Sequence, residues 1–545
     1  MRGTRSSVLT ATLLAIASTL VNGIASAQDK VSIAISPGAR QNEPLPPGER
    51  IELALDRAII LALKNTLDLD VAAYGYEKSE YAINAARGIF DPYFALDLDA
   101  TRTESAVFSR EQASLSKTAR ADARFGGFTP FGTTYTLGWT NRRNDTDIPG
   151  FTIINPTYRS GLNLGVTQPL LRNFGTTVNR RFIIQARIAR DQSAWDFVRQ
   201  LMNTAQSVEF AYWDLVYALE NLKARQEALA RAGDLNRITR IKIDVGALAP
   251  IDIVQTEVTI AQREQDIILA EGAIGDAQDR LKRLLNVQQL ADWSRPITPT
   301  DRPSDEPIKV DVEAGIDMAL RTRPEVKQAV VDIEYRKITL AYQRNQVLPR
   351  LDFIGNYGYS GVGANTAITN PDNTVRELDF VDALYQIRGR EFPAWSVGLS
   401  LNIPLFNRAA RNNAAIAKTD VELSRTNLAI VKQNLVVDVR AAARSVDTSV
   451  RSVAAARKAR ELAERNLDAE RKKYENGMTT SFQVAQIQND LTNARSFELQ
   501  AIASYQKSIA AWHRQIGDLL DEKHVTVEGL PVSLAPTPAE EGAVR

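Results

Sequence analysis

Twice in this chain an alternating apolar pattern runs into a proline and emerges as a long helical one. In Gly161–Gly175, Leu162, Leu164 and Val166 alternate with Asn163, Gly165 and Thr167, and Pro169 interrupts them. In Ser396–Ala409, Val397, Leu399, Leu401 and Ile403 alternate before Pro404. A period of two is that of a strand. Proline cannot donate to a sheet ladder and suits the first turn of a helix, so Pro169 and Pro404 are read as strand-to-helix junctions. Any fold for this sequence must turn strands into very long helices, two times over.

The first long helix is expected from about Asn173 to Val245, with Val198, Leu201, Ala205, Val208, Tyr212, Leu215, Leu219 and Leu222 on a seam of alternating three- and four-residue steps. Gly246-Ala247-Leu248-Ala249-Pro250 ends it, and Ile251–Leu285 returns. The second runs from about Asn407 to Glu475, with Leu428, Val431, Leu435, Val439, Ala442, Val446, Val450 and Val453 on its seam. Asn476-Gly477-Met478-Thr479-Thr480 ends it, and Phe482 to about Leu520 returns. Connections this short favour antiparallel neighbours, so each is a hairpin. Ile51–Ile89 and Val312–Gln346 are further helical stretches, closed by Asp91-Pro92 and Leu348-Pro349. Each half therefore reads helix, strands, proline junction, long helix, glycine-containing turn, return helix, which is an internal duplication. A shorter helix and a return helix, stacked end to end, nearly match one long helix.

The resulting division is 1–27 signal peptide, 28–50 irregular lead-in, 51–290 first repeat, 291–312 linker, 313–520 second repeat and 521–545 disordered tail. The first repeat holds strands at about 93–168 and a hairpin at about 173–285; the second holds strands at about 350–403 and a hairpin at about 407–520. The signal peptide rests on Arg2 and Arg5, the apolar run Val8–Val21 and the Ala25-Ser26-Ala27 cleavage pattern. No later apolar run is long enough for a membrane helix, leaving a periplasmic or secreted protein or an outer-membrane β-barrel.

With 66 basic and 65 acidic residues the net charge is +1, which argues against a nucleic-acid partner. There is no cysteine, hence no disulfide and no cysteine-borne lipid, and His513 and His524 are the only histidines. No metal site, cofactor site or catalytic constellation is found: HExxH, P-loop and G-x-S-x-G patterns are absent, and Gly361-Val362-Gly363 lacks the context of a nucleotide loop. The expectation is that the chain is not an enzyme.

The strands alternate apolar residues with Gly, Asn, Ser, Thr and Asp, and aromatics such as Phe94, Trp139, Tyr357 and Trp395 stand at or near their ends, in the manner of an interfacial girdle. So few strands cannot close a barrel alone, so a barrel must be shared, as in a homotrimer. Two other readings compete. One is a periplasmic adaptor, which also carries a helical hairpin; the other is a soluble coiled-coil structural protein of the envelope.

Over Ile51 to Leu520 the chain resembles the TolC-like outer membrane efflux proteins. The resemblance is carried by LALDRAIILALKNTLDL near the start, LNLGVTQPLL and LSLNIPLF at the junctions, EFAYWDLVYALENL on the long helix, and VGALAPIDIVQTE and NGMTTSFQVAQIQ at the turns. It implies a mainly α fold with a membrane β portion: a trimeric channel-tunnel with an outer-membrane β-barrel and a periplasmic α-barrel. It further implies a passive exit duct for drugs, small molecules or proteins in tripartite efflux or type I secretion. Its partners would be a periplasmic adaptor, an inner-membrane transporter of the RND, ABC or MFS type, and outer-membrane lipid.

On that resemblance Gly246, Ala247, Leu248, Pro250, Gly477, Met478, Thr479 and Thr480 form the tips where an adaptor docks. The family's gate uses an acidic residue after the first tip, a tyrosine before the second glycine and an arginine two after it. Asp252 and Tyr474 match, but Thr479 stands at the arginine position. Gln483 and Gln486 stand where some members carry an acidic ring. Asp252 can equally be a carboxylate complementing a helix N-terminus. The segment Ala119–Thr140 exceeds the usual strands, as an extracellular hairpin or an added strand pair, and Gly361–Arg390 is an unusually long loop.

Overall fold

The computed structural model describes residues 31–35, 43–106, 113–147, 155–304, 306–364, 366–369 and 375–529. The signal-peptide reading lies outside them. In the first half, helices α1 (Leu55–Asn65) and α2 (Leu67–Arg87) lead into strands β1 (Tyr93–Glu104), β2 (Leu115–Phe128), β3 (Thr134–Thr146) and β4 (Thr157–Pro169). Helices α3 (Arg181–Asp244) and α4 (Ile251–Leu284) follow. The second half repeats the plan with α5 (Val312–Thr322), α6 (Pro324–Gln346), β5 (Arg350–Ala364), α7 (Phe380–Gly389), β6 (Pro393–Asn402), α8 (Arg408–Glu475) and α9 (Ser481–Ile516).

The two seams read from the heptads are the two main cores. Val198, Leu201, Ala205, Val208, Tyr212 and Leu215 are buried with Leu61, Leu69 and Leu281. Leu435, Val439, Ala442, Val446 and Val453 are buried with Ala319, Tyr505 and Trp512. At 1.5 Å per residue α3 and α8 are each roughly 100 Å long. The shorter helices do stack end to end. The Thr66 hydroxyl donates to the Leu284 carbonyl at 2.5 Å where α4 meets α2, and Thr322 donates to the Ile516 carbonyl at 2.9 Å where α9 meets α6.

Several boundaries differ from expectation. Ile51–Ile89 is not one helix: Ile51–Leu53 is a strand paired in parallel with Ile297–Pro299, inside the expected linker. The helix then breaks at Thr66, in extended backbone (φ −63°, ψ 130°). Val312–Gln346 breaks at the matching place, Arg323 (φ −64°, ψ 127°), because the ring of Pro324 disfavours helical backbone in the residue before it. The expected tail is ordered through Gly529: Val525–Glu528 pairs in parallel with Val31–Ala34 of the expected irregular lead-in. The expected loop 361–390 continues β5 to Ala364 and then holds a short strand pair and α7.

The junction prolines sit differently from each other. Pro169 is the last residue of β4, paired with Asp352, and α3 starts only at Arg181 rather than near Asn173. Pro404 lies between β6 and α8. In both junctions the turn is completed by an asparagine in left-handed backbone, Asn173 (φ 65°) and Asn407 (φ 45°). Both are tied to the end of α6: Asn173 N–H donates to Asn345 Oδ1 at 2.7 Å, and Asn407 Nδ2 donates to the Val347 carbonyl at 2.8 Å.

The strands form one antiparallel six-stranded sheet in the order β6-β5-β4-β3-β2-β1. The segment 119–140 is therefore an added strand pair inside the sheet. Pairing puts Phe94, Phe125, Leu137, Leu164, Tyr357 and Trp395 in one row across all the strands, and every one of them is exposed. The other face carries Asp, Arg, Asn, Thr and Gly. Such a sheet, apolar on one exposed face and polar on the other, has the pattern of a membrane barrel wall. No described helix is long and apolar enough to cross a membrane.

Candidate docking tips and gate

The two hairpin turns are built alike. At the first, Gly246 (φ 75°) follows the last turn of α3; its N–H donates to the Ile243 carbonyl at 2.9 Å and the Ala247 N–H to the Lys242 carbonyl at 2.8 Å. At the second, Gly477 (φ 78°) donates to Tyr474 at 3.0 Å and Met478 to Lys473 at 2.9 Å. These are paired six-to-one and five-to-two bonds that satisfy the last carbonyls of each helix, with the left-handed residue supplied by glycine. Val245 (73% exposed), Ile251 (71%) and Met478 (69%) leave apolar side chains bare at both turns. Pro250 starts α4 without a side-chain cap, whereas the Thr480 hydroxyl accepts the Gln483 N–H at 3.3 Å at the start of α9.

Of the gate candidates, Tyr474 is placed most decisively. It is 2% exposed, within a cluster of Leu235, Leu467, Val484, Ile487 and Leu491, against which Leu248 of the first tip packs. Its hydroxyl meets Thr239 Oγ1 at 2.8 Å, and Lys242 Nζ lies 4.3 Å from its ring centre while donating to the Tyr474 carbonyl. Burial pushes the Tyr474 hydroxyl's pKa up, and the nearby Asp252 charge adds to it. Lys242 thus supplies a cation at the carbonyl end of α8, where the helix dipole favours one. Asp252, in the first turn of α4, has no ion-pair partner among the described residues.

Thr479, at the arginine position of the resemblance, bonds within its own tip: its hydroxyl donates to Glu470 Oε1 at 2.6 Å, and Lys473 Nζ donates to Glu470 Oε2 at 3.1 Å. Gln483 is exposed. Gln486 lines a groove of about 570 Å³ between α4 and α9, with Gln255, Gln262, Phe482 and Asn489.

The outer membrane efflux protein family model matches residues 58–287 and 315–517, well over half of the chain and one segment in each half. The chain belongs to the outer membrane efflux protein family. Its fold is that of solved outer membrane channels. The Campylobacter jejuni CmeC outer membrane channel aligns with a TM-score of 0.62 at 16% identity, over 88% of this chain and 90% of that one. The outer-membrane channel OprN aligns at 0.62 and 15%, over 92% and 99%. VceC from Vibrio cholerae aligns at 0.60 and 14%, over 85% and 96%. Nodulation protein T of Rhizobium leguminosarum bv. trifolii is 20% identical over 335 residues, 60% of this chain and 64% of that protein's length.

In this efflux protein the sheet accordingly belongs to the outer membrane and the helices to the periplasm. Sequence reasoning missed the polar ties that hold the two hairpins together near the tips. Arg263 (7% exposed), held by Asp266 of its own helix at 3.1 Å, reaches from α4 to Asn489 of α9 at 3.0 Å. Gln488 Nε2 donates to the Arg231 carbonyl at 3.3 Å, and Ser496 Oγ donates to Asn221 Oδ1 at 2.9 Å. An arginine in an otherwise apolar stripe of α4 was the available signal. Its partner lies more than two hundred residues away, beyond the reach of periodicity.

Proposed function

We propose that three copies of this chain close a shared barrel and helical tunnel that serves as the passive outer-membrane duct of a tripartite export system. The observation that carries this is the sheet. It has one apolar exposed face and two edge strands, β1 and β6, whose outer edges are unpaired among the described residues. A bilayer does not tolerate open edges, so the edges must meet those of other copies. Three copies supply eighteen strands, in the range that leaves a water-filled lumen. The strand-to-helix junctions continue the wall downward.

The apolar tips at Val245, Ile251 and Met478 fit docking by a periplasmic adaptor's helical hairpin, which would couple the duct to an inner-membrane transporter of the RND, ABC or MFS type. Asp252, which has no ion-pair partner among the described residues, is available to pair with a neighbouring copy in the closure. Gln483 and Gln486 carry amides where the resemblance puts carboxylates in some members, so these two positions offer no acidic ring.

The test is single-channel recording of detergent-extracted full-length protein in planar bilayers. Stable unit conductance is expected, and Asp252→Ala should raise it. Recovery as a soluble periplasmic monomer without conductance overturns the duct reading in favour of an adaptor or rod. Unchanged conductance in Asp252→Ala removes Asp252 from the gate.

A further inference from the structure

The added strand pair changes the charge of the lumen face. Cross-strand pairing aligns Asp99 of β1, Arg120 of β2, Arg142 of β3, Arg159 of β4 and Val362 of β5 in a single row. The row lies on the polar face, because each of its members is offset by an odd number of residues from the apolar row of Phe94, Phe125, Leu137 and Leu164. Three arginines on adjacent strands stand directly opposite one another. Like charges so placed repel and cost stability.

Most other charges on this face are balanced. Arg124 pairs with Asp97, and Arg120 reaches Asp99 at 4.0 Å. Asp122 accepts the Asn141 N–H at 3.2 Å but has no ion pair among the described residues, so it leaves one carboxylate two residues along from the arginine row. Arg142 and Arg159 are exposed and have no carboxylate partner among the described residues. They lie three residues beyond the Trp139 and Leu162 row, roughly 10 Å toward the end of the barrel remote from the helices. On the outer side at this level α7 covers β4 and β5. Helix α7 lies so close to β5 that a Cβ at Gly361 would come within 2.0 Å of the Ala383 carbonyl oxygen. The guanidiniums of Arg142 and Arg159 stand on the opposite face, which lines the lumen in the duct reading.

We propose that Arg142 and Arg159 form an anion-binding ring in the barrel, which makes the duct selective for anions and gives passing phosphate- or carboxylate-bearing solutes a site. This rests on the duct reading above. A guanidinium presents a planar fork that matches carboxylate and phosphate oxygens, and rings of arginine are a recognised means of anion selection in pores. Arg142 comes from the added pair and faces Arg159 on the strand that leads into α3, so the insertion doubles the uncompensated charge at this level.

The experiment uses full-length protein in planar bilayers under a potassium chloride gradient, with inorganic pyrophosphate as the probe on the barrel side. That side reaches the arginines without passing the tips. Wild type should give a reversal potential on the chloride side and lose current when pyrophosphate is added. Arg142→Gln/Arg159→Gln should move the reversal potential toward the potassium side and abolish the block. Arg142→Lys/Arg159→Lys should keep the selectivity. Should the glutamine double variant form no channels, Arg159→Gln alone decides, by weakening the block. A cation-selective wild type, absence of block, or selectivity and block unmoved by glutamine overturns the ring. No wild-type conductance at all overturns the duct reading instead.

Discussion

The two hairpin tips have the same backbone and opposite wiring. Each ends a long helix with a left-handed glycine and the same pair of carbonyl-satisfying bonds. Seven residues before each glycine stands a polar side chain, Thr239 in the first and Glu470 in the second, and four before each stands a lysine, Lys242 and Lys473. In the first tip both reach across: Thr239 to the Tyr474 hydroxyl, Lys242 to the Tyr474 and Glu475 carbonyls. In the second both stay home, with Lys473 and Thr479 bonded to Glu470. Duplication supplied identical turns; side-chain choice then made the first tip the clasp and the second the part that is held. Separating the two hairpins at this point breaks the bonds made by the first tip.

The sharpest way to break this asymmetry is at the held residue. Tyr474→Ala should cost about 3–5 kcal/mol, as removal of a buried aromatic does. It should leave Thr239 bonded to its own Leu235 carbonyl, a 2.8 Å contact that does not depend on Tyr474. Ile243, the matching residue of the first tip, is only partly buried, so Ile243→Ala should cost far less. Hydrogen exchange at residues 467–491 reads both. Equal protection loss in the two variants would mean that the tips are equivalent after all.

The glycines test the part that should be symmetric. A Cβ at Gly246 or Gly477 meets no atom within 4 Å, so alanine costs only the left-handed backbone, about 1–2 kcal/mol at either site. Gly246→Ala and Gly477→Ala should therefore lower local stability to the same extent by hydrogen exchange. A clear difference would show that one turn is restrained by something beyond its own backbone.

Much of this architecture was legible in the sequence, for definite reasons. Heptad seams such as Val198 to Leu222 need a partner helix and so announce themselves, and Gly246 and Gly477 mark where a helix must turn. The strand alternation identified the sheet, and even the surplus segment around Trp139. The breaks at Thr66 and Arg323 were harder. Pro324 was a signal for one, but Thr66 has no proline after it, and its bend is held by the distant Leu284 carbonyl. The pairing of Val31–Ala34 with Val525–Glu528 joins the two ends of the described chain across nearly five hundred residues, through segments too short for periodicity to register. At the tips, residue types were readable and their partners were not. Thr479 was visible only as a missing arginine; its bond to Glu470 is a fact of the folded turn.

That bond allows the finest test of the comparison. The Thr479 hydroxyl first, and the Lys473 ammonium second, hold the Glu470 carboxyl below its ordinary value. A carboxyl whose pKa is lower in the folded state than in the unfolded one stabilises the fold at pH above the unfolded value. That contribution disappears as pH falls through the folded one. Thr479→Val removes the larger of the two causes and should let the Glu470 carboxyl return toward its ordinary value. The second tip should then be less protected than in wild type at pH 7, and the difference should shrink as pH falls below about 4.5, the ordinary glutamate range. The first tip, whose matching residue Leu248 packs on the apolar cluster, should show no such dependence. Titration of Glu470 by NMR together with exchange at residues 470–480 checks both. A protection difference that is the same at every pH would mean that Thr479 acts through packing and that the second tip has no internal charge clamp.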